Sequence, residues 1–158
     1  MAAVVVEVRN ALAAMLEAAD LSQEFTLEES YADWELELKS GNELRVDVVA
    51  VTTKQRADLD TRGSYVYSTP IDIAIRKRIA ADEQQDDNGR ALVAVVDGLM
   101  LLTQEIFELV MPERLPEFDD AAWQSTEILV APDKEMLRKN KQFTSVIRLT
   151  FDVHRAIP

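Results

Sequence analysis

The sequence predicts an α+β domain in two layers, with a mixed, mainly antiparallel sheet of about four to five strands packed against two long amphipathic helices. Three patterns carry that expectation. Ile71, Ile73 and Ile75 alternate with Asp72, Ala74 and Arg76, the period-2 signature of a strand with one face in a core. Two stretches, one running from Val5 to Ala19 and one from Leu92 to Val110, repeat apolar residues at three- and four-residue steps, as helices with one buried stripe do. Phe143, Ser145, Ile147, Leu149, Phe151 and Val153 alternate with polar and mixed residues over the whole of a closing strand.

The first helix is expected over residues 3 to 19, with Val5, Val8, Leu12, Met15 and Leu16 on one stripe and Glu7, Asn10 and Glu17 off it. A short strand follows at Glu24 to Glu29, with Phe25 and Leu27 inward. Ser30 to Lys39 alternates Trp34, Leu36 and Leu38 with glutamates and reads as a connecting segment with a short extended piece. Gly41-Asn42 marks a turn. Next comes a strand at Glu43 to Thr52, with Leu44, Val46, Val48 and Ala50 on one face and Val49 and Val51 making the other face partly apolar.

That strand is expected to pair with Ile71 to Ile79, which should be central. Burying each of its three isoleucines stabilises by roughly 1.5 to 3 kcal/mol. Between the two strands, residues 53 to 68 show no sustained apolar period, and a connection of that length is expected to be a mobile loop serving as a contact surface. Residues 80 to 89 read as an acidic linker with a helix-capping signal at Asp87 or Asn88. The second helix, from about Gly89 to Val110, ends ahead of Pro112 and has Gly98 in its middle, where a glycine permits close packing. A strand from Gln124 to Pro132 with Ile128 and Val130 inward, the basic turn KEMLRKNK and the closing strand make an antiparallel hairpin.

With 158 residues the chain fits one domain, 1 to 158, able to bury about 70% of its unfolded surface. Several chemistries are excluded by residue supply alone. There is no cysteine, so disulfides, thiolate metal sites and cysteine nucleophiles are ruled out. His154 is the sole histidine, and four glycines supply no phosphate-cradling loop. Asp82, Glu83, Asp86 and Asp87 lack the ligand spacing of a calcium loop. Glu28 and Glu29 would point to opposite sheet faces and cannot act as an acid and base couple. No active site, cofactor or metal is therefore expected. Glu7 and Arg9 interrupt the apolar start, so it does not read as a signal peptide, and no run approaches the roughly 18 apolar residues of a membrane span. The expectation is a soluble protein, cytoplasmic in the cell that makes it.

The net charge of -12 argues against a general nucleic-acid binder. Its distribution alternates in sign: residues 1 to 52 carry -8, 53 to 78 carry +3, 79 to 133 carry -11 and 134 to 158 carry +4. Such blocks can pair within one subunit or between neighbours. The basic ones nominate a contact surface: Lys54, Arg56 and Arg62 with Tyr65 and Tyr67 in the loop, Arg76, Lys77 and Arg78 at a strand end, and Lys139 and Lys141 in the basic turn.

Taken in order, LRVDVVAV (Leu44 to Val51), KQRADLDTRG (Lys54 to Gly63), YSTPIDIAIRKRI (Tyr67 to Ile79), ALVAVVDGLMLLTQEIFELV (Ala91 to Val110) and FTSVIRLTFDVHR (Phe143 to Arg155), behind an N-terminal helix, resemble the tail terminator, or tail-completion, proteins of long-tailed bacteriophages, of the minor tail protein U type. The resemblance covers about Val5 to Arg155 and lies in order and spacing. It implies a small mixed sheet packed on helices, no active site, and a virion protein, cytoplasmic in the host during assembly. It also implies a homo-oligomer, a hexameric ring that caps the tail tube protein and joins it to the head-tail connector protein. DNA would pass an acidic lumen without specific binding. The alternatives are another neck or connector component, or an acidic adaptor or inhibitor that binds one basic partner.

Overall fold

In the computed structural model, residues 2–31, 38, 43–80, 90–110, 115, 118 and 120–157 are described. Most of the Ser30 to Lys39 segment, the Gly41-Asn42 turn, the linker residues 81–89 and Pro112 lie outside them. The fold is α+β, as expected, with six strands and a third, short helix beyond the two long ones among the described residues. The elements are α1 (Val4–Ala18), β1 (Thr26–Ser30), β2 (Arg45–Ala50), a 3-10 turn (Thr52–Lys54), β3 (Arg56–Thr61), β4 (Ser64–Arg78), α2 (Arg90–Val110), β5 (Ala121–Val130), α3 (Lys134–Asn140) and β6 (Gln142–Ala156).

The sheet runs in the order β1-β2-β4-β6-β5, with β3 beside the first half of β4. Only β1 and β2 are parallel. The expected pairing of the Ile71 strand with the Leu44 to Val51 strand is present, with Val48 opposite Ile73 and Val46 opposite Ile75. Strand β4 is central because β6 pairs with it over its full length, Ser64 opposite Ala156 to Arg78 opposite Gln142.

One sheet face carries the long helices. There Ile71, Ile73, Ile75, Ile147, Leu149 and Phe151 are fully enclosed. They meet Val8, Leu12 and Leu16 of α1 and Leu99, Leu102 and Ile106 of α2 in one core. Helix α1 lies over β1, β2 and β4, and α2 over β6. Inside the α2 layer Thr103 Oγ1 donates back to Leu99 O at 2.9 Å and lies 2.8 Å from Ser145 Oγ, so this buried polar pair is satisfied.

The opposite face is also buried along β2, β4 and β6, although it is rich in charge. Ala74 and Val146 are fully enclosed there, beside Asp47, Asp72 and Arg76. Leu38, itself buried, lies over this face, its N–H donating to Gln142 Oε1 at 2.8 Å. Helix α3 connects β5 to β6, as the antiparallel hairpin with a basic turn predicts. It starts on Asp133, whose carboxylate accepts from the N–H groups of Glu135 and Met136, and stops on Lys141 at φ 50°, a left-handed cap.

Residues 53–68, read from the sequence as a mobile loop, instead form the 3-10 turn, all of β3 and the start of β4. Two further readings are corrected by the packing. Ile128, expected in the core, is 48% exposed, because it stands on the edge strand while α2 packs over β6. The strand expected from Gln124 starts 3 residues earlier, pairing with β6 from Ala121 opposite Val153 onward.

Candidate functional site

The hairpin of β3 and β4 is built by cross-strand pairs rather than by core packing. Arg56 stands opposite Ser68, Ala57 opposite Tyr67, Leu59 opposite Tyr65, and a two-residue turn of Arg62 and Gly63 joins Thr61 to Ser64. Every β3 residue is exposed. Thr61 Oγ1 and Ser64 Oγ are 2.8 Å apart across the turn, and Gly63 O accepts from the N–H of Ile157 at 2.9 Å, which ties the tip to the end of β6.

Leu59 is 64% and Tyr65 38% exposed, and they form one apolar pair on the helix-bearing side of the sheet. The side is fixed by register: Tyr67, two residues along from Tyr65, packs against the core. Asp58 and Asp60 take the other side, where His154 Nδ1 lies 3.5 Å from Asp60 Oδ2.

A second unpartnered surface lies at the far edge of the sheet. Met100, Leu101 and Phe107 of α2 and Ile128 of β5 line a shallow groove of about 470 Å³, with Asp97 and Gln104 among its polar residues. Leu101 is 50% exposed, although its spacing suggests that it widens the buried stripe. The reason is again the reach of the sheet, which ends at β5.

The nominated cations separate into two groups. Arg76, expected at an exposed strand end, is only 7% exposed and donates Nε to Asp47 Oδ2 at 3.0 Å. Arg78 is partly buried with Nη1 3.5 Å from Leu38 O, Lys77 is partly buried, and Lys139 is ion-paired with Glu135 at 2.6 Å within α3. Lys141 is an exposed helix cap whose carbonyl accepts from Ile79 N–H. Tyr67 belongs to the core margin. By contrast Lys54, Arg56 and Arg62 are exposed and form no ion pair among the described residues. Much of the block alternation in charge is thus used inside the fold, through Arg76 with Asp47, Arg148 with Asp72, and Arg155 with Glu7 and Asp120.

The buried carboxylates do not make an acid-base site. Asp72 accepts a two-pronged bond from Arg148, Nε to Oδ1 at 2.7 Å and Nη2 to Oδ2 at 2.8 Å. That bond, with the nearby charges of Asp72 and Glu127, raises the Arg148 guanidinium above its ordinary value against the opposing effect of burial. Asp47 is shared by Arg76 and Arg45. Neither aspartate lines the larger grooves, and no cluster of three metal-ligating side chains occurs among the described residues. No helix among them is long and apolar enough to cross a membrane.

The hairpin was accessible to sequence reasoning through one signal. Ala57 and Leu59 alternate before Gly63, and Tyr65 and Tyr67 alternate after it, so a turn at Arg62-Gly63 places both pairs on one face. The groove had no such signal, since its exposure depends on where the sheet stops. No family model matches the chain, and no curated protein matches it in sequence.

Proposed function

We propose that the chain is a structural subunit of a self-assembling ring, the tail terminator or head-tail junction (neck) protein of a long-tailed bacteriophage, which caps the tail tube and joins it to the head connector. The observation that carries this reading is the β3–β4 hairpin. It holds an exposed apolar pair and, with Lys54 just ahead of it, three exposed cations that form no ion pair among the described residues, within the stretch Lys54 to Gly63 and its continuation that the family resemblance singles out. A subunit of a ring works by presenting shape and charge to copies of itself, which suits a chain whose buried carboxylates are held by arginines rather than poised for proton transfer.

The excess of negative charge favours a lumen through which DNA passes without specific binding. An acidic adaptor for one basic partner would use the same net charge, yet it gives the hairpin's exposed apolar pair no task. The test adds the purified protein to tail tubes that lack their head-proximal cap and images them. Density confined to the head-proximal end, with heads then able to join, supports the proposal. Binding elsewhere, or heads joining without the protein, opposes it.

A further inference from the structure

The geometry points to a head-to-tail contact in which the Leu59–Tyr65 face of one copy's hairpin seats in the α2–β5 groove of the next copy. This inference rests on the ring reading and specifies the contact that would build the ring. Both surfaces lie on the same side of the sheet, since Leu59 shares its side with the core-packed Tyr67 and Ile128 stands opposite the enclosed Ile147. They lie at opposite edges. The hairpin is beside β4 on the β2 side, and the groove is at β5.

One copy cannot join its own two surfaces. Tyr65 is opposite Arg155 and Ile128 is opposite Ile147, eight residues apart on β6, which is about 26 Å at 3.3 Å per residue. Two further strands, β4 and β6, stand between them across the sheet. Two different patches at opposite edges of one rigid sheet can be satisfied together only by a heterologous contact. Repetition of such a contact closes a ring when the rotation permits.

The chemistry matches on both counts. The groove offers Met100, Leu101, Phe107 and Ile128 to an apolar pair with no cover of its own, and an aromatic anchor framed by arginine is the usual composition of an interface centre. From Leu92 to Val110, α2 holds Asp97, Glu105 and Glu108 and neither lysine nor arginine. Arg62 at the hairpin's turn and Lys54 just ahead of β3 supply positive charge for that acidic helix, whereas Arg56, Asp58 and Asp60 lie on the side of β3 away from Leu59.

The native chain has no cysteine, which makes directed cross-linking specific. Leu59→Cys and Ile128→Cys are made as separate proteins, mixed, and treated with a short bismaleimide; Tyr65→Cys is a second probe of the same face. Wild-type assembly is followed in parallel by light scattering, alone and with tail tubes. A cross-linked dimer in the mixture, absent from either variant alone, is the expected result. Leu59→Asp should then raise the concentration for half-assembly about thirtyfold, the equivalent of about 2 kcal/mol at 1.4 kcal/mol per decade. An assembled wild type with no mixed cross-link, or with links between identical positions only, overturns this contact and leaves the ring standing. A wild type that never assembles removes the ring and the contact together.

Discussion

Arg76 on β4 donates its Nε to Asp47 Oδ2 on β2 at 3.0 Å, and both side chains are buried on the sheet face away from the long helices. The pair sits diagonally across the ladder, since Arg45 is the residue opposite Arg76. Arg45 also reaches Asp47, at 3.3 Å. One carboxylate is therefore shared by two guanidiniums, of which Arg45 also pairs with Glu28.

Removing it should be costly. Asp47→Ala takes from buried Arg76 the carboxylate that it pairs with across the ladder, and breaking a buried pair from one side costs about 3 to 5 kcal/mol. Urea unfolding should show that loss as a lower midpoint with an unchanged slope. Replacing both Asp47 and Arg76 by apolar residues of similar size should recover much of it, because apolar packing then takes the place of the broken pair.

Arg148→Lys tests geometry at constant charge. A lysine cannot reproduce the fork that Arg148 places on Asp72, so a loss of about 1 to 3 kcal/mol is expected, against almost none for the same exchange at exposed Arg56. The guanidinium is held above its ordinary value. Its contribution is thus fully present at neutral and moderately alkaline pH and is lost only as pH climbs through that raised value. Calorimetric melting of the wild type over that range should reveal no loss attributable to this pair.

Gly98 lies within α2, and among the described residues an added Cβ would meet only the amide end of Gln23, 3.2 Å away. That amide terminates a flexible, partly buried side chain able to give way. Gly98→Ala should therefore stabilise by up to about 1 kcal/mol through helix propensity, read as a higher melting temperature. A lower one would mean that Gln23 is fixed more firmly than its position implies.

Reversing the charge of the hairpin should separate fold from assembly. Arg56→Glu with Arg62→Glu alters exposed side chains that form no ion pair among the described residues, so stability should stay within about 0.5 kcal/mol by circular dichroism. Assembly, followed by sedimentation velocity, should fail. Intact assembly would take these two residues out of the contact.

The core was legible in the sequence wherever a period was unbroken. Ile71, Ile73 and Ile75, their partner strand and the alternation from Phe143 to Val153 all announce themselves because one sheet face excludes water along its length. The hairpin was harder to see, since Arg56, Asp58 and Asp60 occupy one side of β3 and nothing covers the other. Arg76 misled for a different reason. Sequence displays its charge but hides Asp47, which is 29 positions away and is brought close only by strand pairing. Ile128 and Leu101 kept their apolar periodicity although the fold leaves them uncovered, and periodicity alone does not tell a core from a docking surface.

Native mass spectrometry of the wild-type chain, alone and after incubation with tail tubes, tests the proposed ring most directly. The expected dominant species has six times the 17.8 kDa subunit mass. A single 17.8 kDa species at every concentration, with and without tubes, would contradict it.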